Sequence, residues 1–61
     1  MTAKQLEKKM EIARKTGEAH IDDCVLIYFS DENRYSLRRF SGYWQTIATG
    51  YTLRHFDFLI D

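Results

Sequence analysis

The sequence of 61 residues contains no proline and only one cysteine. A single cysteine cannot form an internal disulfide, whereas small secreted domains of this length usually depend on such cross-links. Residues 1–17 carry charges throughout and lack the apolar run of a signal peptide. The longest apolar run, residues 24–29, is too short to span a bilayer. We therefore expect a cytoplasmic protein that does not associate with membranes.

The sequence also lacks net charge, because nine Lys and Arg residues balance nine Asp and Glu residues. This balance excludes a bulk electrostatic attraction to nucleic acid or to an anionic membrane. The charges are nevertheless unevenly distributed. Residues 1–33 carry five basic and seven acidic side chains, whereas residues 34–56 carry four arginines and no acid. The second half therefore contains a locally cationic segment.

Apolar residues make up 44% of the chain and aromatic residues 15%, which is more than disordered chains carry. Folded chains of this length bury only about 60% of the surface that their unfolded form exposes. We therefore expect residues 1–61 to form a single domain with a small core.

A helix is predicted over residues 3–16. Thr2 and Gln5 have the spacing of a capping box, in which each side chain binds the backbone of the other residue. Gly17 is a suitable left-handed residue to end the helix. The predicted apolar stripe consists of Ala3, Leu6, Met10 and Ala13.

Strand signals follow the helix after a polar link at residues 18–23. The run at residues 24–29 is rich in β-branched and aromatic side chains, and its unbroken apolarity predicts a central strand with both faces covered. Turn-forming side chains then precede an alternating segment at residues 35–40, which indicates a hairpin. Further strands are predicted at residues 43–49 and 51–60, after the turns marked by glycine.

The last segment fits two patterns. A strand would place Phe56, Phe58 and Ile60 on one face, whereas a helix would bring together Leu53, Phe56 and Ile60. Its content of Tyr, Thr and Phe favours the strand.

A short internal similarity points the same way, because residues 51–56 resemble residues 35–40 in order and type. Connections this short exclude parallel crossovers. The predicted fold is therefore α+β, with an N-terminal amphipathic helix packed on an antiparallel sheet of three or four strands in meander order.

The sequence contains no recognisable catalytic or metal-binding set. His20, Asp22 and Cys24 alternate along one segment, but three ligands on one strand cannot surround a metal ion. Burial in an apolar strand would raise the pKa of Cys24 and disfavour a reactive thiolate. The three glycines do not have the spacing of a phosphate-binding loop. We therefore expect a protein that is not an enzyme and has no cofactor.

The acid-free segment at residues 34–56 interleaves arginine with aromatic residues, a composition enriched at protein interfaces. This pattern predicts an interaction module, a regulator, inhibitor or adaptor that binds another protein or a second copy of itself. The alternative is single-stranded nucleic-acid binding, in which rings stack on bases and arginines contact phosphates. Small size alone is typical of accessory proteins of phages and other mobile elements. The candidate partner-binding residues are Arg38, Arg39, Tyr43, Trp44, Arg54 and His55.

Overall fold

The computed structural model describes all residues, Met1–Asp61. Its four strands form one antiparallel sheet in the order β1-β2-β3-β4, with every neighbour adjacent in sequence. The predicted α+β fold and meander order are confirmed. The elements are α1 (Ala3–Thr16), β1 (Glu18–Ile21), β2 (Cys24–Phe29), β3 (Arg34–Phe40), β4 (Trp44–Gly50) and the 3₁₀ segment η1 (Leu53–Leu59).

Helix α1 begins and ends at the predicted caps. The Gln5 backbone N–H donates to Thr2 Oγ1 at 3.1 Å, and the Thr2 N–H donates to Gln5 Oε1 at 2.8 Å. Gly17 has a φ of 99° and donates its N–H to the Ala13 carbonyl at 2.8 Å. A residue with a Cβ rarely adopts this backbone angle, which explains why a glycine ends the helix.

Strand β1 lies within residues 18–23, where the sequence predicted only a polar link, so that prediction is wrong. Ala19 and Ile21 are buried, whereas Glu18 and His20 are exposed. Two apolar residues are enough for a half-buried strand but too few to give a clear signal. The turn to β2 places Asp22 at a φ of 51°, a conformation that Asp tolerates better than most residues.

The prediction of a strand at residues 51–60 is also wrong, because η1 is helical. The residues of the helical alternative, Leu53, Phe56 and Ile60, lie in or against the core. Phe56 is fully buried, whereas Phe58, which a strand would place on the same face, is exposed. Burial of Phe56 against the helix and sheet has overridden a composition that favours a strand.

The core lies between one face of the sheet and the two helical elements. Tyr35 occupies its middle, with its ring centroid 4.9 Å from that of Tyr28 and 6.3 Å from that of Phe56. Leu6, Met10 and Ala13 of α1 are buried as predicted, whereas Ala3 is exposed. The buried core residues are Leu6, Met10, Ala13, Ala19, Ile21, Leu26, Tyr35, Leu37 and Phe56.

The helical elements cover only one face of the sheet. Strand β2 is an inner strand, as predicted, but α1 packs on one side of it only. η1 packs on α1 and β4 and lies on that same side of the sheet, with Phe56 in the core, so the prediction that both faces are covered is wrong. Of its six residues only Leu26 is fully buried. Neither helical element has the length and apolar character needed to cross a membrane.

Candidate binding surface

The uncovered side of the sheet, here called the open face, consists of the residues that alternate with the core residues along each strand. Cross-strand partners share a face, so the register assigns its members. Val25 lies opposite Arg38, Ile27 opposite Ser36, and Phe29 opposite Arg34. The open face comprises Glu18, His20, Val25, Ile27, Phe29, Arg34, Ser36, Arg38, Phe40, Trp44, Thr46 and Thr49.

Two arginines flank one aromatic ring on this face. The guanidinium carbons of Arg34 and Arg38 lie 5.7 Å and 5.4 Å from the Phe29 ring centroid, within the range of cation–π attraction. Arg34 donates to Glu32 Oε2 at 2.8 Å, which neutralises its charge. Arg38 forms no ion pair, and its Nε donates to Ser36 Oγ at 3.2 Å. The terminal nitrogens of Arg38 are therefore held in position and remain available to an acidic partner group.

A second aromatic pair lies at the end of the β3–β4 hairpin. Phe40 and Trp44 are opposite each other in the register, with ring centroids 5.4 Å apart in a tilted arrangement. Each is 58% exposed although each is large and apolar. The contact places the two rings beside each other and leaves both largely exposed to water. Exposed rings placed in this way are available for burial against a partner.

The structure divides the six predicted binding residues between different surfaces. Arg38 and Trp44 lie on the open face, and Tyr43 is exposed in the turn that precedes β4. Arg39 lies on the opposite side of the sheet from Arg38. Arg54 and His55 belong to η1. The acid-free segment therefore does not fold into one continuous cationic patch.

His55 is exposed and also has a structural contact at the start of η1. Its Nδ1 lies 3.3 Å from the backbone nitrogens of both Tyr51 and Thr52, and it accepts hydrogen bonds from their N–H groups at the start of η1. Its Cβ and Cγ pack directly on Gly50, where an added Cβ would overlap them. The histidine thus fixes the path of the chain between β4 and η1.

Three apolar members of the open face, Val25, Ile27 and Phe29, are not among the binding residues predicted from the sequence. The sequence pattern assigns them to a strand covered on both sides. A signal was present, because one helix of fourteen residues can cover only one face of a sheet. The second helical element was not predicted, but it packs on the face that α1 already covers.

An open groove of about 620 Å³ lies on the other side of the molecule, between α1 and the Tyr51–Leu53 segment. At its base Arg14 Nη1 donates to the Tyr35 hydroxyl at 2.6 Å, and this hydrogen bond raises the pKa of Arg14. Both basic and acidic side chains line the groove. They belong to Lys4, Glu7, Lys8, Glu11 and Arg14.

Metal ligands do not converge anywhere in the chain, since no three His, Cys, Asp or Glu side chains are grouped to hold an ion. His20 lies on the open face with its Nε2 3.3 Å from Glu18 Oε2, whereas Cys24 packs against the core on the other side. Burial raises the pKa of the Cys24 thiol, and its hydrogen bond to Asp23 at 3.4 Å raises it further. Cys24 is therefore a neutral thiol at neutral pH.

Comparison of the chain with protein-family models, with curated proteins and with solved structures gave no match. The fold and the surface define a small α+β protein whose sheet has one covered and one open face. Function must therefore be inferred from the open face itself.

Proposed function

We propose that this chain is a cytoplasmic, non-enzymatic interaction module that binds another protein through the open face of its sheet. One observation carries the proposal: Arg38 is held over Phe29 without an ionic partner on the same face that exposes the Phe40–Trp44 pair. Trp, Tyr and Arg supply most of the energetically dominant contacts of protein interfaces. An arginine and two rings that are already positioned lose little conformational entropy on binding.

The charges of the open face favour a protein partner over nucleic acid. Binding to a phosphate backbone requires several unpaired cations, because each neutralised phosphate contributes to affinity. Arg34 is paired with Glu32, which leaves Arg38 as the only arginine on this face without an ion pair. Glu18 on β1 adds a negative charge to the same side of the sheet.

The aliphatic residues of the open face support the same choice. Val25 and Ile27 lie in the central part of β2, half-buried between the neighbouring strands. Aliphatic side chains give apolar contact area but no ring on which a base can stack. A surface with an apolar centre, an aromatic end and one free arginine resembles the composition of a protein interface core.

The proposal is tested by affinity purification from the native cell followed by binding measurements on the recovered partner, with nuclease present throughout. We expect Trp44→Ala and Arg38→Ala each to weaken binding by at least about 2 kcal/mol, roughly 30-fold in Kd. The matched controls are Phe58→Ala and Arg54→Ala, because both side chains are exposed but belong to η1. The controls should bind as the unaltered protein does.

An equal loss of affinity in the controls, or no loss of affinity in either open-face variant, would show that the open face is not the binding surface. Single-stranded nucleic acid is tested in parallel with random oligonucleotides at physiological salt. A nucleic-acid ligand predicts a log–log salt slope of about −0.7 per phosphate contacted. Micromolar binding to these oligonucleotides that Arg38→Ala abolishes would replace the protein partner with nucleic acid.

A further inference from the structure

The two edges of the sheet differ in the features that normally prevent edge-to-edge association. Strand β1 has only four residues, and the ionisable side chains of Glu18 and His20 project from it. Strand β4 has seven residues, Trp44–Gly50, and contains neither a charged residue nor a proline. Short length, charge, proline and β-bulges are the usual protections of an edge strand. β1 has the first two of these protections, whereas β4 has only a β-bulge, opposite Leu37 and Arg38.

The outer edge of β4 presents unpaired backbone groups beside exposed side chains. A strand with a neighbour on one side only leaves alternate N–H and C=O groups without a partner in the sheet. The neighbouring side chains of Thr46, Ile47 and Thr49 are exposed and uncharged. Ile47 has no partner in the register opposite Leu37 and Arg38, as in a β-bulge, and β4 pairs regularly with β3 on either side of it. Threonine and isoleucine are residues that pair well across strands.

We propose that β4 pairs in antiparallel orientation with β4 of a second copy of this chain, forming a continuous eight-stranded sheet. A two-fold axis places the same strand on both sides of the contact, and symmetry then makes the two strands antiparallel. No charge on β4 opposes a copy of itself. Because β1 is protected, the assembly closes as a dimer instead of growing into a fibre.

The expected affinity is modest. Seven residues of extended chain span about 23 Å, so a single strand contact buries less than the roughly 800 Å² per partner of a standard interface. We therefore expect dissociation in the micromolar range. The dimer does not rest on the proposed function, because Phe29 and Arg38 lie on β2 and β3, away from the β4 edge. Trp44 belongs both to β4 and to the proposed binding surface, so Arg38→Ala is the variant that reports on partner binding alone.

The purified chain is the probe, and its mass is measured by sedimentation equilibrium between about 1 and 500 μM, a range that brackets micromolar dissociation. We expect a concentration-dependent change from monomer to dimer. Ile47→Lys introduces a charge in the middle of the β4 edge and should weaken the dimer at least tenfold. The matched control His20→Lys introduces the same charge on the β1 edge and should leave dimerisation unchanged.

Amide hydrogen exchange on the unaltered chain gives a readout that does not depend on any variant being folded. At high concentration the amides of β4 should exchange at least several-fold more slowly than at low concentration, whereas those of β1 should not change. A monomer throughout the concentration range would overturn the proposal. So would a dimer that Ile47→Lys leaves intact, or one whose new protection lies outside β4. These outcomes leave the partner-binding test with Arg38→Ala unaffected, because Arg38 belongs to β3.

Discussion

Arg38 and Arg39 are adjacent in the chain, yet they serve different surfaces of the molecule. Arg38 lies opposite Val25 and Arg39 opposite Cys24, so β3 directs them to opposite sides of the sheet. Alternation along a strand predicts this separation from the sequence alone. Which of the two lies on an uncovered face depends on where the helices pack. Arg38 stays accessible beside Phe29 because both helical elements cover the other side.

Cys24 permits a test at the scale of a single residue. Its pKa is raised, so at neutral pH the folded protein holds less of the reactive thiolate than the unfolded chain does. We expect native protein to react slowly with a thiol reagent and denatured protein to react fast, measured by absorbance of the released thiolate. Labelling of the native protein should accelerate only at a pH above that needed for the denatured chain.

Cys24→Ser is the blank for this measurement, because it removes the only thiol. Rapid labelling of folded protein at neutral pH would contradict the expectation and would reopen a reactive role for the cysteine.

The helical elements α1 and η1 differ in how well contacts between residues close in the chain predict them. The ends of α1 were predictable because its caps are contacts between residues three or four positions apart, such as Thr2 with Gln5. The start of η1 has a contact of the same spacing, between Thr52 and His55, but histidine is not the Glu or Gln of the usual capping signature, and burial of Phe56 sets the position of η1. The similarity between residues 35–40 and 51–56 does not extend to structure, since the first segment is a strand and the second is helical.

The packing of α1 is tested by a pair of substitutions on the same helix. Met10 is 5% exposed within the core, whereas Ile12 is 42% exposed. We expect Met10→Ala to reduce the free energy of unfolding by about 2–5 kcal/mol, because it removes buried apolar atoms and leaves a cavity. Ile12→Ala should change it by less than about 0.5 kcal/mol. Chemical denaturation followed by circular dichroism measures both free energies. An unchanged free energy of unfolding for Met10→Ala would contradict the packing of α1 in the core.

The whole molecule is held together by a core of nine side chains from every element except β4. A domain of this size has only a few kcal/mol of net stability, so the loss of one large side chain can unfold it. Phe56 is the contribution of η1 to this core, and its ring contacts that of Tyr35 edge-on. The stability of the sheet therefore depends on the C-terminal segment as well as on α1.

The different environments of Phe56 and Phe58 distinguish the observed segment η1 from a C-terminal strand. Phe56 is fully buried and Phe58 is 56% exposed, whereas a strand would give both the same environment. We expect Phe56→Ala to cost about 3–5 kcal/mol and to unfold the protein at ordinary temperature. Phe58→Ala should have a melting temperature within a few degrees of the unaltered protein.

If Phe56→Ala does not accumulate, the milder Phe56→Leu still gives a lowered melting temperature to compare with Phe58→Leu. Equal destabilisation by the two matched changes would be incompatible with η1 as described.

The sequence by itself determined α1 and its caps, the strands β2, β3 and β4, and the α+β class. Capping, helical spacing and strand alternation are interactions between residues close in the chain, so they can be read without the fold. Tertiary structure decided the remainder. It recruited Ala19 and Ile21 into a fourth strand and made the C-terminal segment helical in order to bury Phe56.

The candidate site shows the same division. Sequence composition pointed to Arg38 and Trp44, but it grouped them with Arg39, Arg54 and His55, which the fold places elsewhere. Only tertiary structure decided that α1 and η1 share one side of the sheet and leave the other side uncovered. The physical reason is that burial is a property of the whole chain, since a face is closed or open according to what packs on it.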